Sequence, residues 1–233
     1  MKYFLFLLLI VQGLANYTAL SYVDRQCGQD LSNLWVDVVV VVDNSAHMTN
    51  VMLAQVAANL ATVFSAGTRI GTDSLEPRTT RVALVTYNSN ATTVADLNKF
   101  QNLDDLLNGL SLIKTSQSND SNLDAGLWKA WQVFQEGSQN STRLNYRNVI
   151  IVYTDYYDTN YGTVHLATQL KSSGVTIITV AIPNSQDPDL EKYLTMVASR
   201  GLNFKMNDVN LSADIQQGLL DESQNLIFSK FQK

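Results

Sequence analysis

Two kinds of apolar pattern alternate along the chain. Trp35–Val42 is an almost continuous Val-rich run, interrupted only by Asp37. Such a run suits a strand buried on both faces, as in a parallel sheet covered by helices. Val149–Asp155 has the same character, and Arg81–Tyr87 and Val175–Ile182 read as further strands. Thr92–Leu97 predicts a short strand close enough to Arg81–Tyr87 for a hairpin, and Phe204–Met206 another short one. Between them, apolar residues recur at helical spacing in Val51–Phe64, Leu103–Leu112, Leu123–Phe134, Val164–Lys171, Leu190–Ala198 and Ile215–Phe231. Arg69–Thr80 holds Gly71, Asp73, Ser74 and Pro77 and reads as a loop. Alternating strands and helices predict an α/β sandwich with a mostly parallel sheet. Ligands of such sheets sit at the carboxyl ends of strands, where strand order reverses.

Composition narrows the class of partner. The 233 residues are 45% hydrophobic and 16% charged, with a net charge of −5. That balance excludes general disorder. It also makes nucleic acid an improbable partner, because no run of Lys or Arg supplies a basic patch. One cysteine, Cys27, excludes a disulfide scaffold and a cysteine zinc site.

The first residues read as an address. Met1–Lys2 precede the apolar run 3–11, and Gly13 and Ala15 stand at the small-residue positions of a signal-peptidase site. Residues 1–15 are therefore expected to be a secretory signal peptide, being only about half the ~20 apolar residues a membrane span requires. No later stretch is long enough to span either. Residues 16–33 read as an N-terminal arm and 34–233 as one domain. Five N-x-[ST] sequons, at Asn16, Asn90, Asn119, Asn140 and Asn210, agree with secretion and mark expected glycan sites. In an oxidising compartment Cys27 either links two chains into a dimer or stays a free thiol.

Candidate chemistry lies just after the strands. The first buried run ends in Asp43-Asn44-Ser45-Ala46-His47, and the later one in Tyr153-Thr154-Asp155. Ser121 precedes a helix. Asp43, Ser45, Ser121 and Asp155 together offer two carboxylates and two hydroxyls. Such hard oxygen donors suit Mg²⁺. His165 reads as a surface or packed histidine. Asp104-Asp105 and the Asp187–Glu191 segment read as helix starts, where negative charge is favourable.

The order of these residues resembles the metal-ion-dependent adhesion site of von Willebrand factor type A domains: D-x-S-x-S after a Val-rich strand, a Thr or Ser before a helix, then Asp in a T-D turn. Arg81–Tyr87, Leu123–Leu127 and Val175–Ala198 are similar to the family's flanking segments, so the resemblance spans about residues 34–231. It implies a three-layer fold with a six-stranded sheet, five strands parallel and the short third one antiparallel at an edge. It implies Mg²⁺ or Mn²⁺ at the carboxyl edge of the sheet, held by Asp43, Ser45, Ser121 and Asp155. Secreted family members bind matrix or cell-surface proteins, so an extracellular protein or glycoprotein ligand is expected, and no enzymatic activity.

Three positions depart from the pattern. His47 replaces the second serine. Imidazole suits Zn²⁺ better than Mg²⁺, so His47 turns away, coordinates and shifts metal preference, or leaves the site empty. Ser121 is also the hydroxyl of the Asn119 sequon, which would put a glycan beside the metal. Tyr156 stands where the family has Gly. With Tyr157 and Tyr161 it offers an aromatic surface for a partner; Tyr153, within the strand, reads as core. Two rivals stay open: a metal-independent interaction module on the same fold, and a hydrolase using Ser45 and His47. The second lacks a G-x-S-x-G elbow.

Overall fold

A computed structural model describes residues 30–65, 67–72, 79–139, 146–157, 162–183 and 189–228. The expected signal peptide, most of the N-terminal arm, Cys27, Asn16, Asn140 and Tyr161 lie outside them. In chain order the elements are β1 (Val36–Asp43), α1 (Asn50–Ser65), β2 (Arg81–Tyr87), β3 (Ala91–Ala95), α2 (Leu103–Leu110) and α3 (Leu123–Gln139). They continue with β4 (Arg147–Thr154), α4 (Thr163–Ser172), β5 (Val175–Ala181), α5 (Leu190–Val197), β6 (Asn203–Lys205) and α6 (Leu211–Phe228).

The six strands form one sheet in the order β3-β2-β1-β4-β5-β6. Every pairing is parallel except β2 with β3, which is antiparallel at the edge. This is the expected three-layer α/β sandwich. Central β1 shows why its sequence is nearly all valine. Its two-residue side-chain period sends Val36, Val38, Val40 and Val42 to one face, against α1, α2 and α6. Val39 and Val41 go to the other, against α3, α4 and α5. All eight β1 residues are buried. Edge strand β3 reads differently: Thr92, Thr93 and Val94 face solvent.

Asp37, the one interruption of that run, faces Arg81 across the β1–β2 register. Arg81 Nε donates to Asp37 Oδ1 at 2.9 Å, Nη2 donates to Oδ2, and Nη1 donates to the Gly137 carbonyl at the end of α3. Both side chains are buried. The paired charges thus close the amino end of the sheet, opposite the candidate site.

Several element ends differ from the sequence reading. Helix α3 runs on to Gln139 and α6 starts at Leu211 rather than Ile215. Apolar spacing marks only the buried stripe, whereas the backbone ladder continues through polar residues in solvent. The third strand ends at Ala95, and Leu97 instead leaves the sheet in a turn and buries against α3 at Gly137. The loop expected over Arg69–Thr80 is pinned by a parallel bridge between Ile70 and Thr80.

Candidate metal centre

Strand order reverses between β1 and β4. The chain leaves β1 towards β2 on one side, and β4 lies on the other. Ligand sites of open α/β sheets form in this crevice. Asp43 ends β1 and Asp155 directly follows β4, so the reversal brings the two carboxylates to one place. Both are fully buried, as are Ser45 and Ser121.

Asp43 is the hub. Its Oδ1 accepts the Ser45 backbone N–H at 2.8 Å. Its Oδ2 accepts the Ser121 hydroxyl at 2.5 Å and the Thr154 hydroxyl at 3.0 Å. Burial pushes the Asp43 carboxyl above the usual carboxylate range, and the hydrogen bonds from Ser121, Ser45 and Thr154 oppose that shift. The Ser45 hydroxyl lies near enough to favour the carboxylate, yet it is buried and makes no well-formed hydrogen bond. An orphaned hydroxyl within a wholly oxygen donor set is what a hard divalent cation would use. The described residues hold no group of three His, Cys, Asp or Glu able to bind a metal, so any ion here must draw on the serine hydroxyls. The residues present fit Mg²⁺ or Mn²⁺.

The Ser121 loop is laid onto β1 by backbone stitching. Ala46 N–H donates to the Ser118 carbonyl and Ser116 N–H to the Asn44 carbonyl, both at 2.7 Å. Asn122 N–H donates to the Asn88 carbonyl, and the Asn88 amide donates to Asn44 Oδ1. Asn122 Oδ1 then caps α3 by accepting the Ala125 N–H. Gly126, one turn into α3, lets the helix approach: a Cβ there would lie 2.9 Å from Val41 and 3.0 Å from Tyr87. Sequence spacing pointed to none of these asparagines as loop stitches, because their partners stand in other loops. It also missed Thr154 as a ligand-orienting hydroxyl, although the residue stands beside Asp155.

His47 turns away from the donors. Its Nε2 lies 2.9 Å from the Asn119 carbonyl oxygen. A carbonyl only accepts, so Nε2 carries the proton and cannot bind a metal in this arrangement. The ring stacks on Tyr156, with centroids 4.8 Å apart and planes 12° from parallel. It does not activate Ser45, whose hydroxyl has no hydrogen-bond partner; the hydrolase pairing is not assembled. Tyr156 and Tyr157 are half-buried. Tyr157 stacks on Tyr193 of α5, which fixes it against that helix. Tyr153 is core, and its hydroxyl donates to Asn59 Oδ1 at 2.6 Å. His165 is exposed on α4 beside Gln169. Asn102 caps α2 by accepting the Asp105 N–H, while Asp105 accepts the Gln101 N–H, so that acidic pair is a helix start as read.

Comparison with known proteins places this geometry in a family. Among curated sequences, C-type lectin domain-containing protein 160 of Caenorhabditis elegans is similar to this chain, 27% identical over 190 residues, 77% of this chain but 28% of that protein. Among solved structures, proximal thread matrix protein 1 from the mussel byssus, in a form with a zinc-occupied MIDAS motif, superposes with a TM-score of 0.64 at 17% identity, covering 84% of this chain and 46% of the other. BatB from Bacteroides thetaiotaomicron superposes with a TM-score of 0.56 at 14% identity, over 83% of this chain and 99% of its own. The chain therefore spans less than half the length of the curated relative and of the mussel protein. At these identities the structural likenesses establish the fold. The profile of the von Willebrand factor type A domain matches residues 37–218, and with that match the chain belongs to the von Willebrand factor type A domain family.

Proposed function

We propose that this chain is a secreted binding module that engages an extracellular protein or glycoprotein through a divalent ion held by Asp43, Ser45, Ser121 and Asp155. Domains of this family are in general adhesion and protein-interaction modules. The observation that carries the metal reading is the buried, orphaned Ser45 hydroxyl beside the Asp43 carboxylate. Bound there, Mg²⁺ or Mn²⁺ supplies a Lewis-acidic position for a partner carboxylate. Asp43 holds Ser121 and the Ser45 backbone in place, and Thr154 orients Asp43. The mussel protein's zinc-occupied motif supports a divalent site on this fold. Tyr156, Tyr157 and Tyr161 would form the aromatic margin of the contact.

The leader expected at residues 1–15 and the sequons support an extracellular location. Asn90, Asn119 and Asn210 are each exposed. All three lie in loops at the carboxyl edge of the sheet, after β2, before α3 and after β6. Glycans there would surround the metal position and favour a partner that inserts a slender acidic loop over one with a broad flat face. Cys27 would join two such modules if it forms an interchain disulfide.

A second reading has its own observation. Asp43 is already satisfied by three donors, so the loops close without an ion, as a metal-independent interaction module on the same fold requires. A thermal melt in EDTA, Mg²⁺, Mn²⁺ and Zn²⁺ separates the two. An ion at about 100 times its Kd stabilises the fold by ~2.7 kcal/mol, a Tm rise of roughly 5–11 °C for a domain of this size. The expected result is a rise in Mg²⁺ or Mn²⁺ that Asp155→Ala abolishes. No rise with any ion establishes the metal-independent reading.

A further inference from the structure

The three loops that supply the donors are also joined by an outer layer of contacts. His47 lies two residues beyond Ser45, Asn119 two before Ser121, and Tyr156 one beyond Asp155. The inner residue of each pair is buried, whereas His47 and Tyr156 are half-buried and Asn119 is exposed. His47 touches the other two: its Nε2 donates to the Asn119 carbonyl, and its ring stacks on Tyr156. The circuit closes inward. Thr154 Oγ1 accepts the Tyr156 backbone N–H at 3.3 Å and donates to Asp43 Oδ2, which also accepts Ser121. A closed circuit thus runs by contacts from Ser121 through Asp43, Thr154, Tyr156 and His47 to Asn119, and the backbone from Asn119 to Ser121 completes it, drawn from three separate loops.

We infer that His47 and Tyr156 form a clasp on the solvent side of the donor set, which slows exchange of the ion and must open before a partner carboxylate reaches it. The inference rests on the metal reading above. His47 is then a positioning residue rather than a ligand. The residue types suit the task. A small residue in place of Tyr156 would leave the imidazole no surface to stack on, and a serine in place of His47 would span neither to the Asn119 carbonyl nor to the ring. The two departures from the family pattern compensate each other: each gives the other its partner. The clasp also explains how the loops stay closed around a buried, orphaned hydroxyl, because contacts outside the donors hold them. The near-parallel stack of the two rings is one of the arrangements aromatic pairs prefer.

The test uses Mn²⁺ and the full chain as secreted from eukaryotic cells. Binding is followed by the electron-spin resonance of free Mn²⁺, release by an EDTA chase, and the water in contact with the ion by proton relaxation. Losing one neutral hydrogen bond together with one ring stack corresponds to about ten-fold. His47→Ser is expected to release Mn²⁺ about ten-fold faster than the parent, Tyr156→Gly, which loses the stack alone, about three-fold faster, and both to raise water-proton relaxation. Tyr156→Phe keeps the ring and is expected to behave as the parent. That variant preserves packing, so it remains informative if Tyr156→Gly folds poorly. Release at the parental rate from both His47→Ser and Tyr156→Gly overturns the clasp while leaving the metal site standing. So does a Tyr156→Phe variant as fast as Tyr156→Gly. Failure of the parent and every variant to bind Mn²⁺ removes the metal reading, and the clasp with it.

Discussion

The Ser45 hydroxyl sets two expectations of opposite sign. A buried polar group left without a hydrogen bond destabilises by about 1–3 kcal/mol. Replacing Ser45 by Ala should therefore raise stability in EDTA, by about 1 kcal/mol or roughly 2–4 °C in Tm. The same change removes an oxygen donor and should shrink or abolish the Mg²⁺-induced rise. Parallel melts with and without metal check both signs in one experiment; a Ser45→Ala chain destabilised in EDTA would show the hydroxyl to be satisfied. Asp37 behaves differently. Its carboxylate and the Arg81 guanidinium are both out of water, and removing one partner strands the other. Asp37→Asn should destabilise the protein by ~3 kcal/mol, a loss of roughly 6–12 °C in Tm, without changing metal affinity, since this pair closes the opposite end of the sheet. Nothing in residue spacing reveals that pairing. In the sequence Asp37 only interrupts a valine run, and Arg81 stands 44 residues away.

Elements carry the site through their approach distances. Helix α3 lies close on β1 and β2 because position 126 has no side chain. Gly126→Ala would push the helix and the Ser121 loop outward. Overpacking of this kind costs about 1–3 kcal/mol, so thermal or denaturant unfolding should show that loss, and Mg²⁺ affinity should fall with it. A variant with full stability and unchanged affinity would show that α3 has slack at this point. The strands divide by environment. β1, paired on both edges and covered on both faces, should retain its amides longest in hydrogen exchange, and β3 at the exposed edge should exchange first. Helix positions were legible in the sequence wherever an apolar stripe recurred. Their ends were not, because capping and polar extension, as in Gln135–Gln139, depend on local hydrogen bonds rather than on burial.

At the scale of the whole molecule, the site exists because of one topological fact. Strand order 3-2-1-4-5-6 puts the ends of β1 and β4 side by side, so residues 112 apart in the chain meet as Asp43 and Asp155. The Ser121 loop then closes over the crevice from the α3 side. The sheet's two ends are chemically distinct: a buried ion pair at the amino edge, and buried carboxylates with hydroxyls and exposed sequons at the carboxyl edge. A partner is therefore expected to compete with chelation of the ion and to be indifferent to Asp37→Asn. Surface binding to immobilised protein, measured in EDTA and in Mg²⁺, reads this directly. Binding that survives EDTA moves the contact away from the donor set.

The sequence by itself determined the alternation of strands and helices, the double-sided burial of the valine strand and the four oxygen-bearing residues that gather at the carboxyl edge, Asp43, Ser45, Ser121 and Asp155. Those features are local: side-chain period, apolar run length and the chemistry of residues that follow a strand. Only the tertiary structure decided what His47 does. Its orientation depends on Asn119 and Tyr156, which arrive from other loops and engage Nε2 and the ring face. The same holds for Thr154, for the asparagines that stitch the loops and for the pairing of Asp37 with Arg81. Each is a contact between segments distant in the chain, and no periodicity of a single segment encodes where a distant backbone carbonyl or aromatic face will stand.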